Sequence, residues 1–105
     1  ALSDAANHTS LTPKLREEIS LVVAEANQCD YCLSAHSAIA GSLGMKQPDI
    51  LSARKGNSTI PKDQAILQFA KKMVEKKGKM QDAEITALKK AGVSDEEMLE
   101  IVLLV

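Results

Sequence analysis

Aromatic residues are almost absent from this sequence. Its 105 residues include no tryptophan, one tyrosine (Tyr31) and one phenylalanine (Phe69). A core must therefore be built from Leu, Ile, Val, Ala and Met, and the wealth of Ala, Leu, Lys and Glu favours helices over sheets. Long apolar runs are missing too: no stretch approaches the roughly 20 residues of a membrane span. Residues 1–8 lack the basic start and apolar stretch of a secretory signal. These two absences lead us to expect a cytoplasmic protein with no membrane partner. Charge of one sign is not in excess, since 13 Lys and Arg against 14 Asp and Glu leave a net charge of −1. That balance argues against nucleic acid as a main partner, because phosphate neutralisation needs concentrated Lys and Arg.

No linker, fixed-period repeat or low-complexity segment divides the chain, so residues 1–105 read as a single domain of suitable length. The sequence starts without Met and stops inside the apolar "EMLEIVLLV". We read it as a fragment of a slightly longer chain, and expect that "IVLLV" run to bury against a partner or against further chain.

The few prolines and glycines punctuate an all-α pattern of about six helices. Thr12 followed by Pro13 is a helix start. Leu15, Ile19, Val22, Val23 and Ala26 then recur at helical spacing, predicting a helix over 13–27 in spite of the β-prone run "ISLVVA". A second helix is expected from Cys29 or Asp30 to Leu43, ended by Gly44. Its small and apolar residues Leu33, Ala35, Ala40 and Leu43 read as those of a buried helix. A short helix runs from Gln47 to Gly56. A long amphipathic one runs from Pro61 to Lys77, with Ile66, Phe69, Ala70 and Met73 inward and Gly78 as its break. Residues 82–91 form another, ended by Gly92. Ser94, with Glu97 three residues on, is a capping box that starts the last. This closing hairpin superficially resembles a DNA-binding helix-turn-helix. Its second helix, however, opens with Asp95, Glu96 and Glu97, which repel phosphate. Met73, Met80 and Met98 read as core filler, and His8 as a surface or capping residue.

The chemistry concentrates in "CDYCLSAH", residues 29–36, which holds both cysteines and one of the two histidines. On a helix, positions 29, 32 and 36 share one face. Cys29 and Cys32 fall in the first turn, where free backbone N–H groups and the helix dipole favour a thiolate. His36, one turn from Cys32, is placed to take or relay its proton. The preceding helix offers Glu17, Glu18 and Glu25 as acids to hold the imidazole tautomer, and spacing does not choose among them. Haem attachment fails because Leu33, not histidine, follows the second cysteine. Structural zinc needs a fourth ligand, either His8 or a glutamate. A purely structural disulfide across so short a loop stabilises little. Inert core thiols are the ordinary reading of isolated cysteines. Thiol–disulfide chemistry fits the cluster best, and the other three remain open.

The stretch "LREEISLVVAEANQCDYCLSAHSAIA", residues 15–40, resembles the core motif of the alkylhydroperoxidase D (AhpD)-like and carboxymuconolactone decarboxylase superfamily. "ALKKAGVSDEEMLEIVLLV" is similar to that family's closing helices. The resemblance implies an all-helical, AhpD-like, oligomer-forming fold. It implies Glu17 as relay acid, twelve residues before Cys29, with Cys29 and Cys32 as the redox pair and His36 as relay histidine. The decarboxylase branch typically lacks the cysteine pair, so the likeness points to the peroxidase branch. Tyr31 stands where the best-known peroxidase of the group has a second histidine, which makes dithiol chemistry a firmer implication than peroxidase activity.

The resulting expectation is a thiol-dependent peroxidase or disulfide reductase that needs neither a cofactor nor a metal. Its substrate is a small hydroperoxide, and its reductant a lipoyl-bearing or thioredoxin-like dithiol protein. Nearness to His36 favours Cys32 as first attacker, whereas the helix N-terminus favours Cys29. The rival readings are a non-enzymatic redox-sensing or zinc-binding helical module, and a carboxymuconolactone decarboxylase-like enzyme.

Overall fold

A computed structural model of the chain describes residues 11–105. Those residues form six helices and no strand: α1 Pro13–Ala26, α2 Asp30–Ser42, α3 Gln47–Arg54, α4 Pro61–Glu75, α5 Asp82–Lys90 and α6 Asp95–Leu104. The ambiguous run "ISLVVA" lies in the middle of α1 and is helical because α1 is the central element, packed against α2, α3 and α4. It buries two faces. Leu15, Ile19 and Val22 enter the main core with Ile66, Leu67, Phe69 and Ala70 of α4 and with Leu88, Val93 and Ile101 of the closing hairpin. Leu21 enters a smaller cluster with Ala40, Met45, Ile50 and Ala53. A helix that is apolar on more than one side is a buried helix. Each fully buried Leu or Ile here contributes about 1.5–3 kcal/mol. Met73, Met80 and Met98 pack half-buried against the main core, as filler.

The helix boundaries follow local chemistry. Thr12 caps α1, its hydroxyl accepting from the Leu15 N–H at 3.1 Å. Ser94 and Glu97 form both bonds of the capping box at α6. The first five helices all end in the same left-handed turn, with Gln28, Gly44, Gly56, Lys77 and Gly92 at positive φ. At each end the next residue's N–H returns to a carbonyl five positions earlier, as in Cys29 to Ala24, Met45 to Ala40 and Gly78 to Met73. Glycine is the usual residue there. Gln28 and Lys77 are not glycines, and the sequence carried no signal for either. Consequently α4 ends at Glu75, two residues short of the expected Lys77, because Lys77 itself takes the left-handed conformation.

The second correction concerns α2. Its composition reads as that of a buried helix, yet Ala40 is its one fully buried residue, and Ile39 and Leu43 are more than 40% exposed. The helix seats one narrow stripe on α1 and turns the rest outward. Apolar residues also stand out on α6, where Leu99 and Leu103 are exposed although Ile101 is buried. Among the described residues no helix is long and apolar enough to cross a membrane.

Candidate active site

The turn between α1 and α2 sets up the cysteine pair. Gln28, at φ 56°, closes α1 and delivers Cys29 directly to the N-cap of α2. Cys29 thus ends one helix and starts the next. Its Sγ accepts from the Cys32 N–H at 3.2 Å, a bond normally made by a Ser or Asp oxygen. The two Cα atoms are 5.3 Å apart, within the range a disulfide requires, and the sulfurs are bonded as Cys29–Cys32. Asp30, in the same first turn, suits the helix dipole but adds negative charge beside the pair.

Of the three candidate acids, Glu17 meets the histidine. Its Oε2 lies 2.7 Å from His36 Nδ1. A carboxylate only accepts, so Nδ1 carries the hydrogen and donates it, leaving Nε2 as the nitrogen available to a reactant. The pair is partly sheltered, with the Glu17 side chain 16% exposed and that of His36 33%. Glu25, eight residues on, pairs instead with Arg54 of α3 at 3.1 Å. Glu18 turns away from this region into a polar cleft beside α3. Burial pushes its carboxyl above the usual carboxylate range; Lys14 opposes this, and Asp63 and Asp49 reinforce it.

Cys29, Cys32 and His36 therefore line one cleft of about 130 Å³, as their spacing predicts, with Glu17 behind the imidazole. Its other walls are Ser20, Val23, Ala24 and Asn27 from α1 and Leu104 from the end of α6. Sequence reading missed Leu104, since nothing in "IVLLV" indicates that one leucine reaches across to the cysteines. His8 lies outside the described residues, so its expected surface role and its possible part in a zinc site stay expectations. The cleft is small, mostly apolar and provided with a sulfur pair and one orientable base. Such a site suits thiol–disulfide exchange or attack on a small electrophile.

The family model of the carboxymuconolactone decarboxylase family matches residues 1–76, which include the whole cleft except Leu104. No curated protein matches the chain. The crystal structure of an uncharacterized peroxidase-related protein from Silicibacter sp. TM1040 is similar to it, with a TM-score of 0.84 at 24% identity. That match takes in 97% of this chain and 58% of the other, so the chain spans somewhat more than half the length of that neighbour. The neighbour shares the all-helical fold, and the family model, which matches well over half the sequence, makes this chain a member of the carboxymuconolactone decarboxylase family.

Proposed function

We propose that the protein is a thiol-dependent peroxidase in which the Cys29–Cys32 pair reduces a small hydroperoxide. The observation that carries this reading is the union of the bonded cysteine pair and the Glu17–His36 hydrogen bond in one cleft. The family match and the neighbour's description as peroxidase-related agree with an enzyme of the peroxidase or decarboxylase kind.

The cycle starts from the reduced pair. Cys32 passes its proton to His36 Nε2, with Glu17 holding the opposite side of the ring. The Cys32 thiolate attacks the hydroperoxide oxygen and the O–O bond breaks. Cys32 becomes a sulfenic acid, and the departing alkoxide takes the proton from His36 and leaves as an alcohol. Cys29 then attacks the Cys32 sulfur, water is released and the disulfide forms. An external dithiol attacks the disulfide through a mixed intermediate, leaves oxidised and restores both thiols. Cys32 is assigned the first attack because it stands one turn from His36. Cys29, whose sulfur accepts the Cys32 N–H, is suited to leave as a thiolate when the dithiol attacks Cys32.

Tyr31, 84% exposed between the two cysteines, offers an apolar footing for a lipoyl-bearing or thioredoxin-like reductant. Exposed Leu99 and Leu103 on α6 support a homo-oligomer. The test is turnover of cumene hydroperoxide with dihydrolipoamide as reductant, together with trapping of sulfenic acid in single variants. Cys29→Ser should accumulate sulfenic acid and Cys32→Ser should form none. Sulfenic acid in Cys32→Ser alone would reverse the order. No turnover with any dithiol would remove the peroxidase reading.

A further inference from the structure

Seven of the eight residues lining the redox cleft lie between Ser20 and His36, on α1, on α2 or in the turn that joins them. That turn and the packing of α2 on α1 fix their places. Leu104 is the exception, since it comes from the end of α6. It is also the largest aliphatic side chain of the lining, where the others are Val23 and Ala24. Its own helix holds it there. Ile101, one turn earlier on the same face, is fully buried in the main core, and Leu104 packs partly buried against that core. Val102, between the two in sequence, is 46% exposed and takes no part in the lining.

The cleft measures about 130 Å³. An apolar cavity of about 150 Å³ holds a benzene ring, so one compact hydrocarbon group fills this one. A reactant must bring its electrophilic atom to a cysteine sulfur and lay its substituent against the remaining walls. The apolar walls are Val23, Ala24 and Leu104. Val23 and Ala24 belong to α1, the helix on which α2, α3 and α4 all pack, and they have no room to give way. The length of residue 104 therefore sets the free dimension of the cleft. In an apolar pocket a single methylene is worth about 10–200-fold in discrimination.

We propose that Leu104 is a specificity-determining residue: it limits the size of the group that accompanies a reactant to the Cys29–Cys32 pair, and so selects a compact alkyl substituent over one bearing an aromatic ring. The identity of that reactant as a hydroperoxide rests on the peroxidase reading; the size limit does not. The first measurement is kcat/KM for cumene and for tert-butyl hydroperoxide, with dihydrolipoamide as reductant. The ratio of the two values cancels differences in folded fraction and in thiolate content, which a merely structural role of Leu104 would change. It should rise about tenfold or more in Leu104→Ala, rise less in Leu104→Val and fall in Leu104→Phe. Val102→Ala, on the same helix but outside the cleft, should leave it unchanged. Leu104→Val carries the test if Leu104→Ala does not fold. The second measurement needs no turnover: the reduced protein is alkylated with N-phenylmaleimide and with N-methylmaleimide, and the phenyl-to-methyl rate ratio should rise several-fold in Leu104→Ala and Leu104→Val. That rise without turnover of any hydroperoxide would remove the peroxidase reading and uphold the size limit. A hydroperoxide ratio unchanged in both shortened variants, a maleimide ratio unchanged in both, or an equal shift in Val102→Ala would overturn the proposal.

Discussion

Replacing Glu17 by Gln isolates what the carboxylate does for His36. The substitution keeps the side-chain length and one hydrogen bond at the 2.7 Å contact with Nδ1. A hydrogen bond to a charged group is worth about 1.5–3 kcal/mol, and a neutral one about 0.5–1.5. The difference, about 1–1.5 kcal/mol, corresponds to a rate change of about 5–15-fold if it is expressed in the transition state. The amide introduces a second effect, because its NH₂ group can donate to Nδ1. That would move the ring hydrogen to Nε2, the nitrogen that must accept the thiol proton. Both effects act in the same direction. The assay is a single turnover of the reduced protein with cumene hydroperoxide, alongside the rate of thiol alkylation against pH. Both rates should fall by about tenfold in Glu17→Gln. Because the pair is partly solvent-exposed, its loss should cost at most about 1 kcal/mol of stability. A variant as fast as the wild type would refute the relay. So would a slowing that merely tracks loss of folded protein.

Glu18→Gln should raise the melting temperature at pH 7. Burial raises the folded-state pKa of Glu18 above its unfolded value, so the stability linked to this group is present at low pH and lost as pH rises through the folded value; the advantage of the variant should therefore vanish as the pH falls below the ordinary 4.5. Gln28→Gly should stabilise by about 1 kcal/mol in urea denaturation, because a left-handed non-glycine residue is replaced by one that adopts that conformation freely. Gly56→Ala should cost about 2–3 kcal/mol by the same measurement: φ is +82°, and the new Cβ would lie 2.7 Å from the Gln68 Nε2 that donates to the Gly56 carbonyl. Gly92→Ala, with nothing near its Cβ, should cost only about 1 kcal/mol. Ser94→Ala removes half of the α6 capping box and should cost about 1 kcal/mol, read as a drop of about 4–8 °C in melting temperature.

The helices and their order were legible because their determinants are local. Thr12–Pro13 and Ser94 to Glu97 announce starts, and Gly44, Gly56 and Gly92 announce stops. The stop at Lys77 was misread by two residues, since a lysine in a left-handed turn leaves no trace in composition. The outward side of α2 was also hidden: small apolar residues there resemble a buried stripe, whereas the helix is seated on α1 by one side alone.

At the site itself, the sequence by itself determined the face shared by Cys29, Cys32 and His36. Spacings of three and four residues on a helix decide that without reference to the rest of the chain. Only the tertiary structure decided which glutamate serves the histidine, which one pairs with Arg54 and which one lines the polar cleft beside α3. Glu17, Glu18 and Glu25 are equivalent as residues on α1. Their fates follow from its rotation, which is fixed by packing Leu15, Ile19 and Val22 into one cluster and Leu21 into another. Leu104 reached the cysteines for the same reason, since anchoring Ile101 in the main core carries the end of α6 over the cleft.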